Sequence, residues 1–137
     1  MLYEEKRPRL LHIEKSRNIT LEKLFLKDSP RWTFLSGDSD GLIVRNSKIE
    51  ARITELEKHT LLDLTAFNTD GIDVTGRNVY IHDVDIWVQD DCISVKDGAR
   101  DMFFERISCS GLGLVIGSIG SSVVSFNFFY SCFKSTL

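Results

Sequence analysis

A short pattern of apolar residues recurs along this chain, and it constrains the fold more than any other feature. Residues 17–26 and 77–86 both begin with Arg-Asn and align without a gap. Their apolar positions coincide at offsets 0, 2, 5 and 7, counted from Ile19 and from Val79. The same register fits a copy counted from Met102 and, more loosely, one counted from Leu42. Because helical periodicity is hard to find while these alternations return, the building unit is predicted to be the β-strand.

The spacing of the copies predicts a solenoid. Their starts are separated by 23 residues (19 to 42), 37 (42 to 79) and 23 (79 to 102), so the middle interval is one repeat with inserted loops. Leucine-rich repeats need a Leu-x-x-Leu-x-Leu-x-x-Asn frame in each copy, and only fragments of it occur. Mixed apolar positions split by polar turns favour an all-β, right-handed parallel β-helix. An unrelated β-sandwich with similar strands is the alternative.

The composition is that of one soluble globular domain, with 42% hydrophobic and 27% charged residues over 1–137. Neither a membrane helix nor a signal peptide is expected, because no apolar run is long enough and the N-terminus is polar. The net charge of −3 and the scattered Lys and Arg residues argue against a nucleic-acid partner. Caps are missing at both ends of the repeat, which predicts a partial domain, truncated from a longer product.

Three aspartates come from two neighbouring repeats. Asp70 and Asp91 are 21 residues apart, and Asp90 adjoins Asp91. In stacked coils these carboxylates are expected to lie within about 10 Å of one another, so their repulsion raises the pKa of at least one. Glycoside hydrolysis requires such a pair, one carboxyl protonated and the other ionised. The alternative is that the aspartates only cap or solvate turns.

The segments around these aspartates resemble the polygalacturonases, glycoside hydrolase family 28. Three resemble successive family motifs and two resemble the family's start of the helix: 68–73 (NTDGID), 89–94 (QDDCIS), 111–120 (GLGLVIGSIG), 7–10 (RPRL) and 28–32 (DSPRW). The motifs occur in the family's order and at plausible spacing. The resemblance covers about residues 7–121, and 122–137 form a divergent tail.

The resemblance implies an inverting hydrolase that cleaves α-1,4-linked galacturonan in pectin, without a metal or other cofactor. Asp91 would be the general acid, and Asp70 and Asp90 would position and activate the attacking water. Asn68 would contact the sugar. The implied partner is a pectic polysaccharide, the implied location is extracellular or in the cell wall, and the folded chain is expected to be a monomer.

Two departures from the family pattern predict weakened activity. Leu112 stands where the family's Gly-His-Gly motif has histidine, and a hydrocarbon side chain cannot contact the carboxylates through hydrogen bonds or charge. The family's Arg-x-Lys pair, which holds the substrate carboxylate, would fall beyond Leu137. A polyanion should therefore bind this chain weakly.

The cysteines and the competing functions complete these expectations. The resemblance implies a disulfide between Cys92 and Cys109, although Cys109 lies one residue nearer the third motif than is usual; two buried free thiols are the alternative. Three other functions compete with the hydrolase: a non-catalytic pectin-binding relative, a calcium-dependent pectate lyase, and a fragment without a function of its own.

Overall fold

The computed structural model describes residues 8–51 and 69–117 in full and the backbone of 128–135. These ranges contain nine strands: β1 (Leu11–Glu14), β2 (Arg17–Glu22), β3 (Phe25–Lys27), β4 (Phe34–Ala51), β5 (Ile72–Val88), β6 (Ile93–Val95), β7 (Arg100–Ser110), β8 (Leu114–Ile116) and β9 (Phe128–Ser135). No helix that could cross a membrane is found among the described residues.

The strands stack as the coils of a parallel β-helix, which confirms the predicted fold class. Strands β1 to β3 form the first coil, β4 the second, β5 the third, β6 with β7 the fourth, and β8 with β9 the fifth. All pairings between neighbouring coils are parallel. The strand segments β1, residues 34–37 of β4, residues 72–75 of β5, β6 and β8 form one face of the helix, the first face.

The register of the coils confirms the repeat derived from the sequence. Ile19 pairs with Leu42, Leu42 with Val79, and Val79 with Met102. The loosest match in the pattern, Ser47, is a polar side chain in an apolar column. Its hydroxyl donates to the Arg45 carbonyl at 2.8 Å and accepts from the Leu24 amide at 3.1 Å, so the buried polar group is satisfied.

The inward side chains of the repeat form the hydrophobic core. In the second, third and fourth coils nearly all of them are fully buried: Leu42, Val44, Ile49, Val79, Ile81, Val84, Ile86, Met102, Phe104, Ile107 and Cys109. Leucine and isoleucine side chains of the first coil are partly buried against the same cluster. Because each side chain must match the one above and below it, the apolar pattern fixes the register.

Bends between the faces are made by residues in the left-handed region. One column of bends consists of Asn18, Gly41, Asn78 and Asp101, and a second consists of Lys23, Asn46, Asp83 and Arg106, all with positive φ. Asn, Asp and Gly tolerate this conformation best, and they fill six of these eight positions. The coils therefore turn at matching positions, and the side chains beside each bend lie in line.

Candidate active site

Asp70, Asp91 and Leu112 occupy the same position on three successive coils. Each lies two residues before a first-face strand, and those strands pair Ile72 with Ile93 and Ile93 with Leu114. Backbone hydrogen bonds join the turns, with the Gly71 amide donating to the Asp91 carbonyl at 2.8 Å. Neighbouring members of the column are thus separated by about one strand spacing, roughly 4.8 Å.

A glycine after Asp70 is required by close packing between coils. A Cβ atom on Gly71 would lie 2.5 Å from the carbonyl oxygen of Cys92 and 2.6 Å from Cγ2 of Ile86. The turn that carries Asp70 can therefore lie directly on the turn that carries Asp91 only if residue 71 has no side chain.

Asp70 belongs to a buried cluster of charged groups that also contains Asp73 and Lys96, the acid–lysine cluster. Asp70 is 4% exposed and Asp73 is fully buried. The Lys96 ammonium lies 2.9 Å from Oδ1 of Asp73 and 3.8 Å from Oδ2 of Asp70. The same nitrogen lies 5.3 Å from the ring centre of Trp32, which precedes Asp70 by one coil in the column. One cation thus faces two buried carboxyls.

Burial controls the protonation of both carboxyls in the cluster. It raises the pKa of Asp70 to about 7, and the charges of Asp73 and Asp90 act in the same direction while Lys96 opposes them. Burial also raises the pKa of Asp73, again against the ion pair with Lys96. Near neutral pH, Asp70 is therefore protonated in part of the molecules and ionised in the rest.

Asp90 and Asp91 are half-buried at the turn before β6. Oδ1 of Asp90 accepts a hydrogen bond from the Asp91 amide at 2.9 Å. Burial and the charge of Asp90 raise the pKa of Asp91, whereas Lys96 and the Ser94 hydroxyl lower it. Asp91 thus retains a proton to higher pH than an ordinary aspartate does, which suits a general acid.

Leu112 continues the column but contributes no polar group to it. Its side chain is 72% exposed, and it lies one coil beyond Asp91 towards the C-terminus. Asn68, the predicted sugar contact, lies outside the described residues.

The repeat pattern of the sequence gives no role to Asp73 or Lys96. A search for carboxylates that recur at the repeat length misses them because the partners one coil away carry no charge: Asp73 pairs in register with Ser94, and Lys96 is in line with Thr75. Strand alternation could have indicated Asp73 as a site residue. Because Ile72 points into the core, the next side chain along the strand is expected to point away from the core, on the outer side of the first face. The contact with Lys96 depends on a long side chain reaching back across one coil.

Within the ranges 8–51 and 69–117, no group of three or more His, Cys, Asp or Glu side chains is arranged to hold a metal ion. The two most buried carboxyls of the site, Asp70 and Asp73, face the Lys96 ammonium instead.

Comparison with known proteins identifies the family of this chain. The family model for glycosyl hydrolases family 28 matches residues 2–128. The chain is 32% identical over 124 residues to a probable rhamnogalacturonase E of Aspergillus flavus, covering 90% of this chain and 25% of that protein. It is 31% identical over 116 residues to exopolygalacturonase A of Aspergillus niger, covering 83% and 25%. Over 116 residues it is 30% identical to a polygalacturonase of Juniperus ashei, covering 83% and 21%. The chain spans about a quarter of the length of these curated relatives, and it belongs to glycosyl hydrolase family 28.

Proposed function

We propose that this chain carries the catalytic aspartates of an inverting glycoside hydrolase that cleaves pectic polysaccharide, with Asp91 as the general acid. The observation that carries the proposal is the pairing of Asp91 with Asp70 on adjacent coils, both with raised pKa values. Asp91 is half-buried, so its carboxyl is accessible to a glycosidic oxygen and can donate its proton to the leaving group.

Asp70 and Asp90 act on the water in this proposal. An inverting enzyme holds its acid and base carboxyls about 6.5–9.5 Å apart to leave room for the attacking water, and side chains on neighbouring coils can span that gap. Asp70 can accept a proton only when it is ionised. Because its pKa is about 7, the base contribution of Asp70 should increase as the pH approaches neutrality.

The first candidate substrate is α-1,4-linked galacturonan, and rhamnogalacturonan is the second. The second is included because relatives named rhamnogalacturonase match the chain as well as those named polygalacturonase do. Both polymers contain uronate carboxylates, and the Lys96 ammonium is already engaged by Asp73 and Asp70, so the positive charge that binds uronate must come from elsewhere.

The test is release of reducing ends from polygalacturonate and from rhamnogalacturonan by the purified chain, beside an Asp91→Asn variant. Circular dichroism first establishes that both chains are folded. Release that disappears in the variant supports the hydrolase and identifies its substrate. Binding without release from either polymer indicates a non-catalytic relative, and a chelator-sensitive product that absorbs in the ultraviolet indicates a lyase.

The weakened activity proposed for this chain is tested by replacing Leu112 with His. A ring nitrogen at this position can contact the Asp91 carboxyl, and positioned acid–base groups contribute about 10²–10⁴ in rate. We expect Leu112→His to raise the rate at least about tenfold. Leu112→Phe is the matched control, because it adds a ring without a nitrogen. An equal effect of both variants would show that ring packing, not hydrogen bonding, is what residue 112 lacks.

A further inference from the structure

A second charged feature lies at the other edge of the first face, where its strands end and the chain bends. There the coils enclose a cleft of about 410 Å³. Four basic and two acidic side chains line it: Lys15, Arg17, Arg77, Arg100, Asp38 and Asp40. We call it the cationic cleft. Its excess of positive charge contrasts with the net charge of −3 of the chain as a whole.

The stacking of the coils gathers these cations from distant parts of the sequence. Arg17 pairs in register with Asp40, Asp40 with Arg77, and Arg77 with Arg100. The basic residues are scattered along the sequence, but the fold places them in a ladder with steps of about 4.8 Å. A ladder of this kind suits an extended ligand that carries regularly spaced charges.

One step of the ladder is already neutralised within the protein. Asp40 accepts hydrogen bonds from Nη2 of Arg77 at 2.7 Å and from Nδ2 of Asn78 at 2.8 Å. The exposed side chains of Lys15, Arg17 and Arg100 surround this pair. The cleft therefore keeps a positive excess at both ends of the Arg77–Asp40 pair.

The floor of the cleft leaves space for a ligand. Gly76 and Gly98 line it, and neither adds a side chain. A Cβ atom on Gly98 would have no atom within 4 Å, so the cleft is open at that point.

We infer that the cationic cleft binds a run of uronate carboxylates on a pectic chain, at a site separate from the acid–lysine cluster. The inference rests on the proposed substrate class. The aspartates lie just before the first-face strands and the cleft lies just after them, so about six residues, roughly 20 Å, separate the two sites, and a polymer of several sugars can reach both. Binding at the cleft offsets the repulsion between a net-negative chain and a polyanion, and it holds the polymer beside Asp91.

The experiment measures the dissociation constant of an unesterified galacturonate hexamer by isothermal titration calorimetry. The Asp91→Asn background is used so that the ligand is not consumed. The test variant is Arg17→Gln with Arg100→Gln, and the matched control is Lys23→Gln with Arg45→Gln, which removes two charges elsewhere on the surface. We expect the test variant to bind about tenfold more weakly and the control to change less than about twofold.

Two further ligands separate charge from chemistry. A methyl-esterified hexamer should bind much more weakly than the free acid. A sulfated oligosaccharide of similar length should also bind more weakly, and equally tight binding would overturn the assignment to uronate. Equal weakening of binding in the test and control variants, or no weakening in either, would contradict ligand binding at the cationic cleft.

This outcome is separable from the proposed catalysis. Weakened binding in the cleft variant, together with absence of reducing-end release by the unmodified chain, would leave the cleft standing and remove the hydrolase proposal. Reducing-end release by the unmodified chain, together with unchanged binding in the cleft variant, would support the hydrolase proposal and remove the cleft.

Discussion

At the scale of single residues, the notable feature is the imbalance of charge in the acid–lysine cluster. Two buried carboxyls, Asp70 and Asp73, share one ammonium group, Lys96. Burying a second unpaired negative charge is unfavourable, so the cluster favours retaining one proton between the two carboxyls. The raised pKa values of both aspartates express this balance.

Replacing Lys96 with Met should destabilise the fold by about 2–4 kcal/mol at pH 7.5, because it leaves the buried Asp73 without its counter-ion. The loss should be smaller at pH 4, where the carboxyls are more protonated. Urea denaturation at both pH values measures it. Adding Asp73→Asn to the variant removes the unpaired charge and should recover part of the stability; no recovery would contradict the ion-pair explanation.

Asp70 should make the stability of the fold depend on pH in a predictable direction. Its folded-state pKa, about 7, lies above the ordinary value of 3.8, so the folded state binds more protons between these values. The contribution of Asp70 to stability therefore decreases as the pH rises from 4 to 7. Asp73 and Asp91, with raised pKa values, add slopes of the same sign.

The variant Asp70→Asn isolates that contribution. Between pH 4 and 8 we expect its free energy of unfolding to fall less steeply than that of the unmodified chain. The variant should therefore become more stable relative to the unmodified chain as the pH approaches 8. Chemical denaturation at half-unit intervals of pH provides the measurement. Parallel pH profiles for the two chains would show that Asp70 titrates with its ordinary pKa.

At the scale of strands and bends, much of the fold was predictable from the sequence. The inward positions of β2, β4, β5 and β7 follow the offsets found from Ile19, Leu42, Val79 and Met102, because stacked side chains must match from coil to coil. The bends were less predictable. Their positive-φ residues include Lys23 and Arg106, which have no intrinsic preference for that conformation, so only the stacking shows where the chain turns.

Alanine substitutions at Gly76 and Gly98 separate two costs to stability, a steric clash between bends and backbone strain. Both have positive φ, at 97° and 84°, but a Cβ atom on Gly76 would lie 2.1 Å from the Ser39 carbonyl oxygen, while one on Gly98 would touch nothing. We expect Gly98→Ala to cost about 1 kcal/mol of stability and Gly76→Ala about 2 kcal/mol more. Thermal and urea denaturation give both values, and equal losses would show that strain alone matters.

At the scale of the whole molecule, the candidate site was predictable only where it follows the repeat. Asp70 and Asp91 are 21 residues apart and meet on neighbouring coils. Arg17, Arg77 and Arg100 of the cationic cleft also share a register in the sequence repeat. The repeat does not show that these arginines line a common cleft with Lys15 and the two glycines, which becomes visible only once the coils are stacked.

A disulfide in the structure closes most of one coil into a covalent ring. It joins the buried Cys92, before β6, to Cys109, near the end of β7, at a sequence separation of 17. A crosslink that closes a loop of this length restricts the unfolded chain, which in the loop-entropy description stabilises the fold by about 3 kcal/mol. Reduction, or replacement of both cysteines with Ala, should therefore lower the free energy of unfolding by about that amount.

Thiol titration decides whether the bond forms in the purified protein. The chain has three cysteines, so the unfolded chain should show one reactive thiol, Cys132, before reduction and three after it. Cys132→Ser is the control, because it should abolish the signal before reduction and leave the stability effect of the reductant intact. Three reactive thiols in the unreduced chain would mean that Cys92 and Cys109 are free, and the fourth coil would then be held by core packing and hydrogen bonds without the crosslink.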